Sequence, residues 1–346
     1  MNMNMNYILG VLAILFAVGL FSLNPVLLKS NNASFIYKAL FSTITVVIPS
    51  FIYILMNNKK NNEIDNEIDN IEEIKILLLN KNTYISSIAY FFYTVVFFYC
   101  QQTLPMSISL PVFMLYPFIL LLLNRVINKD SINIGEVTGG IITFIGIIIL
   151  SKSPLKVKPP NYMFKILLCL VAAFCCASAY LFLKTSEDRV IVKEESDKIV
   201  QLKKEKDMTY NIHANMLLLN GIPALIFILI ILIKNTIFRH KYNNTMLFKG
   251  DNNFKSIGQL LLYSFILQYG CNLLQQYGFI NLDTVTYSAL VNASVVFAFI
   301  YGKIFFKETI NLQKIVGIIV IISGISFDIY SSTRIKDHKG FLFIKR

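Results

Sequence analysis

Lys129-Asp130-Ser131-Ile132-Asn133-Ile134 returns 178 residues later as Lys307-Glu308-Thr309-Ile310-Asn311-Leu312, and the same offset pairs Gly139 with Gly317 and Gly146 with Gly324. Basic, acidic, hydroxyl, isoleucine and asparagine positions agree without a gap. Each copy stands between two strongly apolar runs, so the meaning of the repeat depends on how many such runs separate its copies.

Ten runs can be read along the chain: 7–28, 35–56, 84–100, 106–123, 135–150, 163–183, 216–233, 257–277, 285–306 and 315–330. We refer to them as segments one to ten. Hydrophobic residues fill 55% of the 346 positions and charged ones 15%, with a mean hydropathy of +0.60, a balance that polar surface could not cover in water. A bilayer core requires about 20 apolar residues per spanning helix. The runs approach that length and lack the alternation of barrel strands, so an all-α membrane protein is expected.

The two copies of the motif follow segments four and nine. Five is odd, so the second half enters the membrane from the opposite face, and the repeat has inverted topology, the architecture of many secondary transporters. Residues 1–151 form the first five-helix repeat and 163–332 the second. The intervening loop, 152–162, carries Pro154, Pro159 and Pro160. A basic tail, 333–346, closes the chain.

Segment one follows only Met and Asn residues and is long enough to span, which suits a retained helix rather than a cleaved signal. With a cytoplasmic N-terminus, the loops 57–83, 124–134 and 184–215 and the tail carry 18 Lys and Arg against 11 on the other side, favouring N-in and C-in. The net charge of +12 is thereby explained by loops and not by a nucleic-acid-binding domain. Two sequons, Asn32-Ala33-Ser34 and Asn243-Asn244-Thr245, fall on the non-cytoplasmic side. The Asn, Lys and Ile bias is that of AT-rich genomes and leaves endomembrane, plastid-type and plasma membranes open.

Cys100, Cys169, Cys175, Cys176 and Cys271 lie inside apolar runs and read as small packing residues. His213, His240 and His338 are expected in loops or at helix ends and never pair at metal-ligand spacing. Metal and cofactor are accordingly not expected. The acidic and hydroxyl residues of the repeated motif, Asp130-Ser131 and Glu308-Thr309, are expected to cap the helix that follows each pair. The paired glycines give small faces for close helix packing, within the chain or across a homodimer seam.

The stretch from Ser107 through Ser151, with Leu115-Tyr116-Pro117, Lys129-Asp130 and the two glycines, resembles the end of an EamA-type repeat of the drug/metabolite transporter superfamily. The stretch from Leu282 through Phe327, with Phe305-Phe306-Lys307-Glu308-Thr309, resembles its second copy. Asp130 stands where the family usually has Glu, and Val295 at the position equivalent to Pro117. The resemblance implies two inverted five-helix bundles around a cavity lined by segments one, three, four, six, eight and nine, opening alternately to each side.

Polar residues inside apolar runs are costly unless they face protein or water, so their helical phase marks a cavity. Gln268, Asn272, Gln275 and Gln276 share one face of segment eight. The 178-residue offset maps Gln268 and Asn272 onto Tyr90 and Thr94 of segment three, which carries Gln101 further along, and segment nine adds Tyr287, Ser288 and Asn292. Side-chain hydrogen bonds between helices are the competing reading for any one of these residues, each contributing only about 1 kcal/mol. Lys38, inside segment two where the family often has Arg, either attracts an anionic solute or snorkels to the interface.

The expected activity is secondary transport or exchange of a small polar organic metabolite by alternating access. The membrane lipid is its surroundings and no nucleic acid its partner. An intramembrane enzyme is the alternative and would need paired acids or a nucleophile-base couple, which the segments lack. A non-transporting sensor or scaffold would not need an inverted repeat converging on polar faces.

Overall fold

A computed structural model describes residues 5–61, 80–128, 134–152, 159–195, 208–237, 248–250, 253–282, 287, 290–291, 293–309, 311–324 and 326–327. The described residues are helical, with no strand among them. Seven of their helices are long and apolar enough to cross a membrane, and three shorter apolar helices, Val137–Leu150, Ser294–Phe306 and Leu312–Gly324, fall on segments five, nine and ten. Large apolar side chains point outward along them, including Leu12, Phe16, Phe144, Phe164 and Leu225. Such surfaces are stable against lipid and not against water; the chain is an integral membrane protein.

Two segments are broken where the sequence reading had them continuous. Segment one divides into α1 (Met5–Phe21) and α2 (Asn24–Ser30), with Pro25 at the second position of the new helix, where a missing N–H costs nothing. Segment four divides into α5 (Met106–Phe113) and α6 (Tyr116–Asn128) just before Pro117, which lies in the first turn of α6. The remaining helices are α3 (Phe35–Asn61), α4 (Lys81–Thr103), α7 (Ile134–Ser151), α8 (Tyr162–Glu195), α9 (Met208–Ile237), α10 (Phe254–Ser264), α11 (Cys271–Asn281), α12 (Ser294–Phe306) and α13 (Leu312–Gly324). Between α10 and α11, Phe265–Gly270 form a π-helical turn.

The helices gather into two compact units that are not the sequence halves. One comprises Met1–Pro25, Cys100–Phe174 and Gly278–Arg346; the other comprises Val26–Tyr99 and Cys175–Tyr277. In the first, α5 is buried along its whole length and packs on α12 and α7, while α1 also packs on α12. The glycine faces of α7 and α13 meet. A Cβ on Gly324 would stand 2.6 Å from the Thr143 nitrogen, and one on Gly146 would stand 2.8 Å from the Ile321 nitrogen. These glycines therefore serve packing within the chain, the closest approach that two helix backbones allow.

In the second unit α3 and α9 form the main contact, with Val46 against Ile212 and Met216. The hydroxyls of α4 fasten it to its neighbours: Ser86 donates to the Ala179 carbonyl of α8 at 2.7 Å, and Ser87 donates to the Leu218 carbonyl of α9. Serine at such points lets helices approach and satisfies its own hydroxyl in a medium without water.

Candidate functional site

The polar residues of segment eight lie on a helix whose other face is committed to packing. Tyr269, Leu273 and Tyr277, at i, i+4 and i+8, pack against the Val46, Ile212 and Met216 cluster. Gln268, Asn272 and Gln275 are half-buried, and Gln276 is buried. The Asn272 amide nitrogen donates to the Gln268 carbonyl at 2.7 Å. The Gln275 and Gln276 side chains have no hydrogen bond among the described residues. Amides offer donor and acceptor together, so these groups can bind hydroxyl, carbonyl or carboxylate.

Tyr90 and Thr94 belong to the same compact unit as this stripe and are buried. The Tyr90 hydroxyl lies within electrostatic reach of Cys271 on α11 and Cys176 on α8, which brings α4 and α11 together around it. Its ring meets Tyr93 edge-on at 5.1 Å. The Thr94 hydroxyl is spent on its own helix, donating to the Tyr90 carbonyl at 2.9 Å.

Gln101 and Tyr287 belong to the other unit and are buried there. Both polar ends of Gln101 lie buried with no hydrogen-bond partner among the described residues. An unpaired buried amide is expensive, and such groups concentrate where water or a ligand supplies the bond. The Ser109 and Ser294 hydroxyls of the same unit are buried and unpaired in the same way. Neither serine stood out in the sequence, since one small hydroxyl within a long apolar run carries little signal. Ser288 and Asn292 lie outside the described residues.

Lys38 is buried, and its ammonium donates to the Leu28 carbonyl at 2.6 Å, near the end of α2. A cation there complements the unpaired carbonyls of a helix C-terminus.

Glu308 also departs from expectation. Its carboxylate does not cap the helix that follows; Asn311 does, accepting from the Lys314 nitrogen at 2.8 Å. Glu308 instead accepts from the backbone N–H of Met106 at 2.8 Å and of Ser107 at 3.2 Å, and from the Ser107 hydroxyl, so it caps α5. Lys314, almost wholly buried, completes the group, 3.1 Å from Ser107 Oγ and 3.9 Å from Glu308. The turn that aims the carboxylate is built on Lys307, whose φ of 50° is left-handed, and on the Glu308 N–H bonding back to Gly302 at 3.1 Å.

Among the described residues no group of three His, Cys, Asp or Glu could hold a metal ion, and all five cysteines are free thiols.

The model of the EamA-like transporter family matches residues 8–152 and 208–329. No curated relative matches the chain. A solved structure, titled only as the crystal structure of a protein, is similar with a TM-score of 0.53 and 13% identity over 92% of this chain and 97% of its own, a likeness of fold alone. The two matched regions cover most of the chain: the chain belongs to the EamA-like transporter family.

Proposed function

We propose that the chain is a secondary transporter or exchanger of a small polar organic metabolite, working by alternating access through ten membrane-spanning segments arranged as two inverted five-helix repeats. One observation carries the reading: Gln268, Asn272, Gln275 and Gln276 line one side of a helix whose neighbouring face is used for packing, and two of the amides have no protein partner among the described residues. Amides that merely joined helices would be paired with them. Tyr90 in the same unit is the further candidate contact; Gln101 and Tyr287 stay candidates from sequence, as do Ser288 and Asn292.

The solute class follows from the lining. Uncharged donor-acceptor groups suit a metabolite bearing hydroxyl, carbonyl or carboxylate functions. Lys38 is already committed to a helix terminus, so it adds little toward an anion. The basic loop count supports N-in, C-in insertion.

Uptake into liposomes tests the proposal, with radiolabelled amino acids, organic acids, sugar phosphates and nucleotide sugars offered in turn. Gln268→Leu and Asn272→Leu should insert and elute monodisperse, because leucine suits hydrocarbon, while uptake falls by about tenfold for the loss of one or two orienting hydrogen bonds. Unchanged rate and half-saturation in both variants would make the stripe a packing feature and place the site elsewhere.

A further inference from the structure

His213, expected in a loop or at a helix end, lies in the second turn of α9 and is buried, 2% exposed, in the unit that holds the polar stripe. Its Nδ1 is 3.3 Å from Ser50 Oγ on α3. Its ring stacks on Tyr53 of α3 at 4.2 Å and 27°, and on Tyr269 of the π turn at 6.1 Å and 25°. Tyr269 in turn stacks on Phe265 at 5.1 Å, so both aromatic residues of the turn belong to one stack with the imidazole.

We propose that His213 is the proton site of the carrier and that its charge is read at the polar stripe through Tyr269 and the π turn. The inference rests on the transport reading above.

The Ser50 contact accepts both charge states. A serine hydroxyl donates to Nδ1 when the imidazole is neutral and accepts from Nδ1–H when it is protonated, so the bond to Ser50 survives the change; a carbonyl partner would have fixed one state. Tyrosine faces attract an imidazolium and stack equally on the neutral ring. Histidine is the side chain whose charge ordinarily changes between about pH 5 and 8. The phenols of Tyr53 on α3 and of Tyr269 on the π turn touch the imidazole; α3 also carries Tyr37 and the buried Lys38, the helix-eight side Tyr263 and Tyr277, and α4 the phenols of Tyr84, Tyr90, Tyr93 and Tyr99. On α4, which joins α9 through Ser87, the charged group is Lys81, exposed at the first helical residue. The proton balance is simple: the imidazole nitrogen takes a proton from water in one state of the cycle and returns it to water in another.

The link to solute is the π turn. Such a turn holds one residue more than the α-helical path, and such insertions cluster at functional sites. Tyr269 sits inside it next to Gln268, whose carbonyl receives the Asn272 amide. Releasing the turn to a regular α-helix would shift Gln268 and the Tyr269 ring relative to α11 and so change how the stripe presents its amides. A charge on His213, felt through the Tyr269 stack, selects between these arrangements.

Two measurements decide it. A His240→Asn/His338→Asn variant of the full chain leaves His213 as the one histidine, and the NMR signal of 13C-labelled imidazole in detergent should titrate reversibly between about pH 5 and 8. A single charge state throughout that range overturns the proposal. Exchange of the same solute panel is then followed in liposomes with equal pH on both sides. The rate should change several-fold along the NMR titration, lose its pH dependence in His213→Asn, and keep a weakened dependence in Tyr269→Leu. A pH profile that persists in His213→Asn also overturns it. If no panel solute exchanges in the unmodified protein, the transport reading is what fails, and the NMR titration alone then decides the proton site. Should His213→Asn fail to elute monodisperse, His213→Gln replaces it, and the Tyr269→Leu profile is read alone if both fail: a dependence as strong as in the unmodified protein overturns the proposal.

Discussion

Glu308 binds two backbone amides and a hydroxyl at the start of α5, and it is the anion that balances the buried Lys314. Removing one member of a buried charged pair costs about 3–5 kcal/mol because the other is left uncompensated. Glu308→Ala should therefore lower the thermal midpoint in detergent by several degrees, and Glu308→Gln, which keeps an acceptor for the amides, by less. Glu308→Ala/Lys314→Met should recover part of the loss; if the double variant is no more stable than Glu308→Ala, the ion pair is not the reason. The motif around Glu308 was plain in the sequence, yet its role was assigned to the wrong helix. The rule for capping is local, whereas the amides it serves lie about 200 positions away, and nothing in the chain's order announces that approach. Hydropathy starts segment seven at Met216, whereas α9 begins at Met208 and carries His213 in its second turn, where Ser50 and Tyr53 meet the polar ring.

At the level of elements, the ten apolar segments were legible because hydropathy and length are local properties, and each has a helix on it. The breaks after Phe21 and Phe113 and the π turn were not, although prolines stand just beyond two of these places. A proline permits a break without requiring one, and the outcome depends on packing. The glycine pattern of segments five and ten was legible at both ends, and it yields a sharp contrast. At Gly324 an added Cβ would meet the backbone of Thr143 and Gly139 within 2.7 Å, whereas at Gly270 nothing lies within 4 Å. Gly324→Ala should separate α7 from α13 and cost about 1–3 kcal/mol. Gly270→Ala should be neutral or stabilise the helix by up to about 1 kcal/mol through reduced backbone freedom. Thermal unfolding of both variants followed by tryptophan-free near-UV absorbance or by scanning calorimetry checks the pair, and equal destabilisation would mean that the close approach is not what sets the energetics.

For the whole molecule, the 178-residue repeat tells how the chain was built, while the compact units tell how it is held together, and the two partitions differ. Sequence similarity joins segments five and ten across the halves; packing then places both in one unit, backbone against backbone through their glycines. The proposed inverted topology makes a demand on the membrane that neither partition tests alone: the two copies of the motif must emerge on opposite faces. Single cysteines at Ser131→Cys and Thr309→Cys probe it, since the natural thiols are buried apart from the half-buried Cys175 and give little background. In sealed cells an impermeant maleimide should label Thr309→Cys directly and Ser131→Cys only after permeabilisation, as should a cysteine placed beside Lys204, because the basic loops 124–134 and 184–215 are on the cytoplasmic side in the N-in arrangement. Reversal of all three would turn the protein over in the membrane and leave the repeat intact. Labelling of Ser131→Cys and Thr309→Cys from the same side would mean an even number of crossings between them, and the inverted five-helix repeat would fall with it.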